Sequence, residues 1–384
     1  MIKRRAVALV LMALAVMLAG CMGRGSVMNA GWTVAAERDG TVYAALATGY
    51  VLALDASQQG ALLWQYPETQ ASTGIGCSIA RPSDEKRDSP LDAVYGRPLV
   101  LDDVVVVGSF DGKLQAFKRD SGAPAWTYAA EQAIIGAAVE ADGVLYFGSS
   151  DGKVYAIDAA TQEPAWAQPF STRDRVWGAP AIDGDRLYVA SMDHSVYAID
   201  RNSGQLIWEH NLGASAPGAL TLTDGRVFVG SVDRYLTCLS ADDGSELWRS
   251  PQYAGWVWGE ALVVGDGVYF GSLDGMMHAL NVDDGQPLWA DVPLKGAIRA
   301  GPALAGDTLL VGTEKGYVYT VGLADGASSL LFGNREDEEL GPVLSTPVVE
   351  GNLVYVTTSA GRVVALDLTL RDPMLWVYPP VESK

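Results

Sequence analysis

The chain has 384 residues, a formal net charge of −19 and 49% hydrophobic residues, enough for a large core. Its acidity opposes binding to nucleic acid and adhesion to anionic lipid heads.

At the N-terminus, Lys3-Arg4-Arg5 precedes an apolar run from Ala6 to Met17 that is too short to span a bilayer comfortably. Small residues follow, as in a secretory signal peptide. Leu18-Ala19-Gly20-Cys21 resembles the bacterial lipobox, so residues 1–20 are expected to be removed and Cys21 lipidated. Residues 22–30 have no pattern and are expected to form, with Cys21, a tether at 21–30 that reaches at most ~30 Å. Without Lys3, Arg4 and Arg5, 24 basic residues face 46 acidic ones, so any membrane affinity must come from acyl chains. The other two cysteines, Cys77 and Cys238, offer no reason to pair. Cys238 holds the place of Ala156, Ala198 and Ala279 in other units and is expected to fill a small buried slot.

From residue 31 a single unit repeats. Gly184 to Trp208 (GDRLYVASMDHSVYAIDRNSGQLIW) has close copies at 142–166, 224–248 and 265–289. Looser copies end at Trp64, Trp126 and Trp376, and an eighth, 306–331, has Leu330 where the others have Trp. From Trp126 through Trp166, Trp208 and Trp248 to Trp289 the spacing is 40, 42, 40 and 41 residues. Within the unit, Ala179–Ile182, Leu187–Ala190, Val196–Ile199 and Leu206–Glu209 read as four strands. Asp111-Gly112, Asp151-Gly152 and Asp274-Gly275 read as hairpin turns that tolerate positive φ. Four antiparallel strands every ~40–45 residues make a propeller blade. The runs are apolar on consecutive residues, as in sheets covered on both faces. The fold expected is all-β: an eight-bladed propeller of four-stranded antiparallel blades over 31–378, with a tail at 379–384. Each unit holds its own four strands, so closure is expected from side-by-side packing of blades 1 and 8. Long irregular stretches interrupt the repeat at 67–95 and at 335–339.

In a blade, the loop entering the first strand and the loop joining strands two and three share one face. Tyr95, Trp177, Trp256, Trp258 and Arg299 precede first strands and belong to that face. Arg97 and Glu260 align with Ala137 and Ala179 and should line the channel mouth. Aromatic and Arg side chains are the usual anchors of an interface; equally, Trp177 and Trp258 could plug the channel. Little else carries chemistry. The Gly-Ser-Ser-Asp-Gly stretch at 148–152 matches a nucleophile pattern, but sister units lack its serine and no helix follows it. His194, His210 and His278 share no metal-ligand spacing, and Asp242 to Glu246 reads as a bend.

Ala-Ile-Asp…Ser-Gly-Gln-Leu-Ile-Trp (198–208) and Ala-Leu-Asn…Asp-Gly-Gln-Pro-Leu-Trp (279–289) resemble the tryptophan-docking repeat of pyrroloquinoline-quinone-type propellers. The resemblance covers about 31–378. It implies that Trp64, Trp126, Trp166, Trp208, Trp248, Trp289 and Trp376 lock each blade onto the next. One branch of that family, the quinoprotein dehydrogenases, binds the quinone with calcium and adjacent cysteines; no Cys-Cys pair occurs here. The other branch, the lipid-anchored propeller of the outer-membrane barrel-assembly machine, is non-catalytic. The expectation is therefore an exported, monomeric, cofactor-free scaffold for an envelope protein, with a funnel-binding enzyme or sensor as the alternative.

Overall fold

Short runs of Val, Ile and Tyr alternate with Gly-containing turns along the chain, and each run forms a strand that pairs antiparallel with the next. In blade 4, Arg186–Ala190 pairs with Ala181–Asp183 on one side and Ser195–Asp200 on the other, and Leu206–Asn211 completes the sheet. The computed structural model describes residues 34–68, 90–333 and 341–380. Cys21 and its tether, Cys77, most of the 67–95 insertion and the 335–339 loop lie outside the described residues. Among those described, 32 strands form eight four-stranded sheets and there is no helix. Each sheet uses four consecutive strands, so no strand is exchanged where the ring closes.

The second and third strands are buried on nearly every residue, because each sheet lies between two others. The apolar cores therefore lie between blades. Tyr188, Val196 and Trp208 of blade 4 pack with Val227 and Leu239 of blade 5. Val42, Leu52 and Leu54 of blade 1 pack with Tyr355, Val363 and Trp376 of blade 8 and close the ring. Burying a side chain of this size is worth about 1.5–3 kcal/mol, so these seams hold the ring together. Cys238 is buried in one of them, and burial pushes its thiol up to about 12.

A Trp–Gly interlock adds to six of the eight seams. Trp208 sits 8% exposed, and its Nε1 donates to the Ala241 carbonyl of the next blade at 3.0 Å. Its ring covers Gly244, where an added Cβ would lie 2.5 Å away. Trp64 meets Gly122, Trp166 meets Gly204, Trp248 meets Gly285 and Trp289 meets Gly326 in the same way. Trp376 covers Gly60 of blade 1 and carries the interlock across the closure. Trp126 departs from this: it is half-buried, and Gln162, at φ +62°, occupies the position where six of the receiving turns have glycine.

Two expectations are corrected. Leu330 stands where the other units have their docking Trp, but it does not take over that buried slot; it is 55% exposed. In blade 4 a bulge between Ala198 and Ile199 brings Trp208 opposite Ala198. In blade 7 the bulge falls between Val318 and Tyr319, so Leu330 pairs with Tyr319 and turns outward while Phe332 is buried. The receiving turn of blade 8, Leu368 to Pro373, has no glycine, so donor and acceptor of the interlock are lost together. Second, Trp166 and Trp289 do not lie in fourth strands. Those strands shrink to Phe170–Ser171 and Val292–Pro293, each preceded by an isolated bridge. Two prolines in each stretch, Pro164 with Pro169 and Pro287 with Pro293, remove the backbone donors that a continuous strand needs. The Asp-Gly turns take positive φ at the glycine, as expected, and His194 (φ 78°) and Arg234 (φ 76°) hold the equivalent position in blades 4 and 5.

Candidate functional site

The loops that enter the first strands converge on the ring axis. Gly96, Gly136, Gly178, Gly218 and Gly259 recur there with the same 40-, 42-, 40- and 41-residue spacing as the tryptophans. Each backbone rests on the next. A Cβ on Gly136 would lie 2.7 Å from the Gly178 carbonyl carbon, and one on Gly178 would lie 2.2 Å from the Gly218 carbonyl oxygen. Only glycine allows so close an approach. Sequence reasoning passed over this ring, although its period was readable.

The ring encloses a cavity of about 310 Å³. The residue after each ring position faces it. Ala137, Ala179 and Ala219 are small, as are Val34 of blade 1 and Gly301 of blade 7. Thr346 of blade 8 is polar, while Arg97 of blade 2 and Glu260 of blade 6 are charged. Glu260 is exposed to the pore, yet the atoms crowded around its carboxyl raise it above the usual range, and the Arg97 charge and the Thr346 hydroxyl draw it back. Thr346 Oγ1 donates to Glu260 Oε1 at 3.4 Å.

This environment fixes a pH dependence. Below the unfolded pKa of about 4.3, Glu260 is protonated in both states and contributes nothing. As pH rises past that value the unfolded chain ionises first, so the fold loses stability until the raised folded pKa is passed. Glu260→Gln should therefore raise the urea midpoint at neutral pH and leave it unchanged near about pH 4. Equal midpoints at both pH values would show that the carboxyl is not destabilised by its site.

At the rim, Tyr95, Trp177, Trp258 and Arg299 line the same cavity. Trp256 stands outside it, 45% exposed, and stacks on Trp258 with ring centroids 6.3 Å apart and 16° between planes. Arg299 lies 5.4 Å from the Trp258 ring and pairs through Nε with Glu314. Trp177 donates to Ser150 Oγ at 3.3 Å and carries Arg175 at 5.8 Å. Tyr95 lies 6.1 Å from Phe110. The hairpin turns reach the same loops: Leu273 N donates to the Trp256 carbonyl and Met192 N to the Arg175 carbonyl, each at 2.9 Å. Trp256, Trp258, Arg299 and Glu260 thus form one group, with Tyr95 and Arg97 on blade 2 and Trp177 on blade 4.

One constellation was not legible beforehand. His278 Nε2 is 2.8 Å from Ser272 Oγ, and Nδ1 is 2.7 Å from Asp291 Oδ1. These are the elements of a nucleophilic triad. Ser272 is fully buried and its hydroxyl also bonds Asp274, while the His278 ring packs 3.9 Å from Tyr253. Burial lowers the pKa of the imidazole, against the opposing pull of Asp291. A substrate cannot reach Ser272, so the group braces the hairpin. Tyr155 with Asp151 and Tyr197 with Asp193 do the same at 2.6 Å in blades 3 and 4.

Calcium takes six to eight oxygen ligands, and among the described residues of the lining Glu260 is the one carboxylate. Among the described residues no three His, Cys, Asp or Glu side chains group to hold a metal.

The family model described as outer membrane protein assembly factor BamB matches residues 22–168, 131–214, 151–296 and 193–383. Two proteins of that name are similar. The one from Legionella pneumophila (strain Paris) is 25% identical over 161 residues, 40% of this chain and 42% of its own. The one from Shewanella oneidensis is 26% identical over 198 residues, 45% of this chain and 48% of its own. The chain thus spans about half the length of these curated relatives. Two solved structures share the fold. The computationally designed Ika8 protein has a TM-score of 0.71 at 18% identity, covering 88% of this chain and 96% of that one. BamB from Moraxella catarrhalis has a TM-score of 0.67 at 19% identity, covering 86% and 94%.

Proposed function

This chain belongs to the family of the outer membrane protein assembly factor BamB, and from that membership we propose that it is a non-catalytic, cofactor-free scaffold in outer-membrane protein assembly. In this reading Cys21 carries a lipid that holds the monomer on the extracytoplasmic side of a bacterial membrane, and the loop face of the propeller binds an envelope protein. The observation that carries the choice of face is the stack of exposed Trp256 on half-buried Trp258, with Arg299 packed on the latter. Such residues hold most of the binding energy at protein interfaces. The opposite face offers mainly short turns such as Asp183 to Asp185 and Asn202 to Gly204.

The test is a pull-down from membrane extract. Trp258→Ala combined with Arg299→Ala should weaken capture by about 2 kcal/mol, or roughly 30-fold. Substitutions at 183–185 and 202–204 should leave capture unchanged. The reading of the face fails if the turn variants lose the partner and the loop variants keep it. In the same fractionation Cys21→Ala should leave the membrane pellet, and its retention there would remove the lipid anchor from the reading.

A further inference from the structure

The eight positions that follow the ring contacts are small, apolar or a hydroxyl in six blades, and charged in two. The two charged positions are Arg97 in blade 2 and Glu260 in blade 6. Four blades apart in a ring of eight is opposite, so a cation and a carboxylate face each other across the axis. They form no ion pair, and Arg97 makes no hydrogen bond among the described residues. Between them lies a cavity of about 310 Å³, at the small end of the range that holds small molecules.

We propose that this axial pore binds a small zwitterion, an α-amino acid or dipeptide with an apolar side chain, its carboxylate on Arg97 and its ammonium on Glu260. A simple anion would meet Arg97 but face the Glu260 carboxylate, and a simple cation would meet the reverse. A ligand carrying both charges satisfies both walls, and the repulsion built into each wall rejects the others. The arc of Ala137, Ala179 and Ala219 leaves room for an apolar side chain, with the rings of Trp177 and Trp258 at its edge. The inference stands apart from the scaffold reading: Trp258 borders both sites, but the ligand's charges rest on Arg97 and Glu260, and its test varies those two residues and not the Trp258 and Arg299 of the capture test.

The test is isothermal titration of the full chain at neutral pH with L-phenylalanine, glycyl-L-phenylalanine, N-acetyl-L-phenylalanine and L-phenylalanine amide. One of the two zwitterions should saturate at millimolar concentration or below, and which one it is fixes the ligand length. Removing the ligand's ammonium (N-acetyl) or its carboxylate (amide) should weaken binding about tenfold or more, the usual worth of a hydrogen bond to a charged group. Arg97→Gln should abolish the discrimination against the amide alone, and Glu260→Gln that against the N-acetyl form alone. The proposal is overturned if neither zwitterion gives a saturable heat, or if all four ligands bind equally. Discrimination that survives both substitutions overturns it as well. The analogue series on the unmodified chain decides the matter even where a variant fails to fold.

Discussion

Trp208→Ala should destabilise the propeller by about 3–5 kcal/mol, the range for emptying a large buried aromatic site. The indole is 8% exposed, lies 5.8 Å from the Tyr188 ring and donates its one N–H across the blade seam to Ala241. Alanine removes the contact with Gly244 and opens a cavity between blades 4 and 5, while the Ala241 carbonyl keeps its hydrogen bonds from Arg186 Nη1 at 2.7 Å and Tyr188 Oη at 3.1 Å, so the loss is chiefly one of packing. Neighbouring strands cannot close the gap, because each is held in register by its own sheet. Leu330→Ala is the matched control: it occupies the same place in the repeat but is exposed, so its effect should stay within about 0.5 kcal/mol. Urea denaturation of both variants checks this. Equal midpoints would mean that Trp208 contributes no more than a surface residue, and that the interlock is not what secures the seam.

Gly218→Ala should cost about 3 kcal/mol, the upper end for forcing atoms into a packed site. The new Cβ would lie 2.0 Å from the Trp258 carbonyl oxygen. Both partners are backbone and belong to adjacent blades, so no side chain can rotate away. Relief would have to come from widening the ring, which would displace Trp258 from its stack with Trp256 and Arg299. The variant should therefore weaken partner capture along with stability. Gly225→Ala separates crowding from backbone conformation. Gly225 has φ +70° in an open turn with nothing within 4 Å of an added Cβ, so its substitution carries only the strain of a left-handed residue, about 1 kcal/mol. A Gly218→Ala chain that melts with the unmodified protein would show that the ring can relax, and the close approach would lose its structural meaning.

These expectations differ in how far the amino-acid order reveals them. Val196 to Ile199 with Ser203-Gly204 and Trp208 marks one blade, because strands, turn and docking residue lie within a few residues of one another. Local physics is enough there: apolar runs pair with their chain neighbours, and the period counts eight of them. The tryptophans and the glycines they cover are likewise periodic, as is the Gly96 to Gly259 series that forms the pore. Leu330 shows where the pattern misleads. Its place in the repeat matches Trp208, but the orientation of a strand residue depends on where the bulge falls, and one residue of shift turns a side chain from the seam to solvent.

What the sequence by itself determined is the blade, the number of blades and the residues that enter the axial face, since each follows from contacts between near neighbours in the chain. The tertiary structure alone decided what meets across the ring. Arg97 and Glu260 come from blades four apart and face each other only because the eighth sheet closes against the first. Ser272, His278 and Asp291 come together only through the register of adjacent strands, and their burial makes a brace of what could otherwise be taken for a nucleophile. Closure and register are cooperative results of packing eight sheets at once, and no local run of residues carries them.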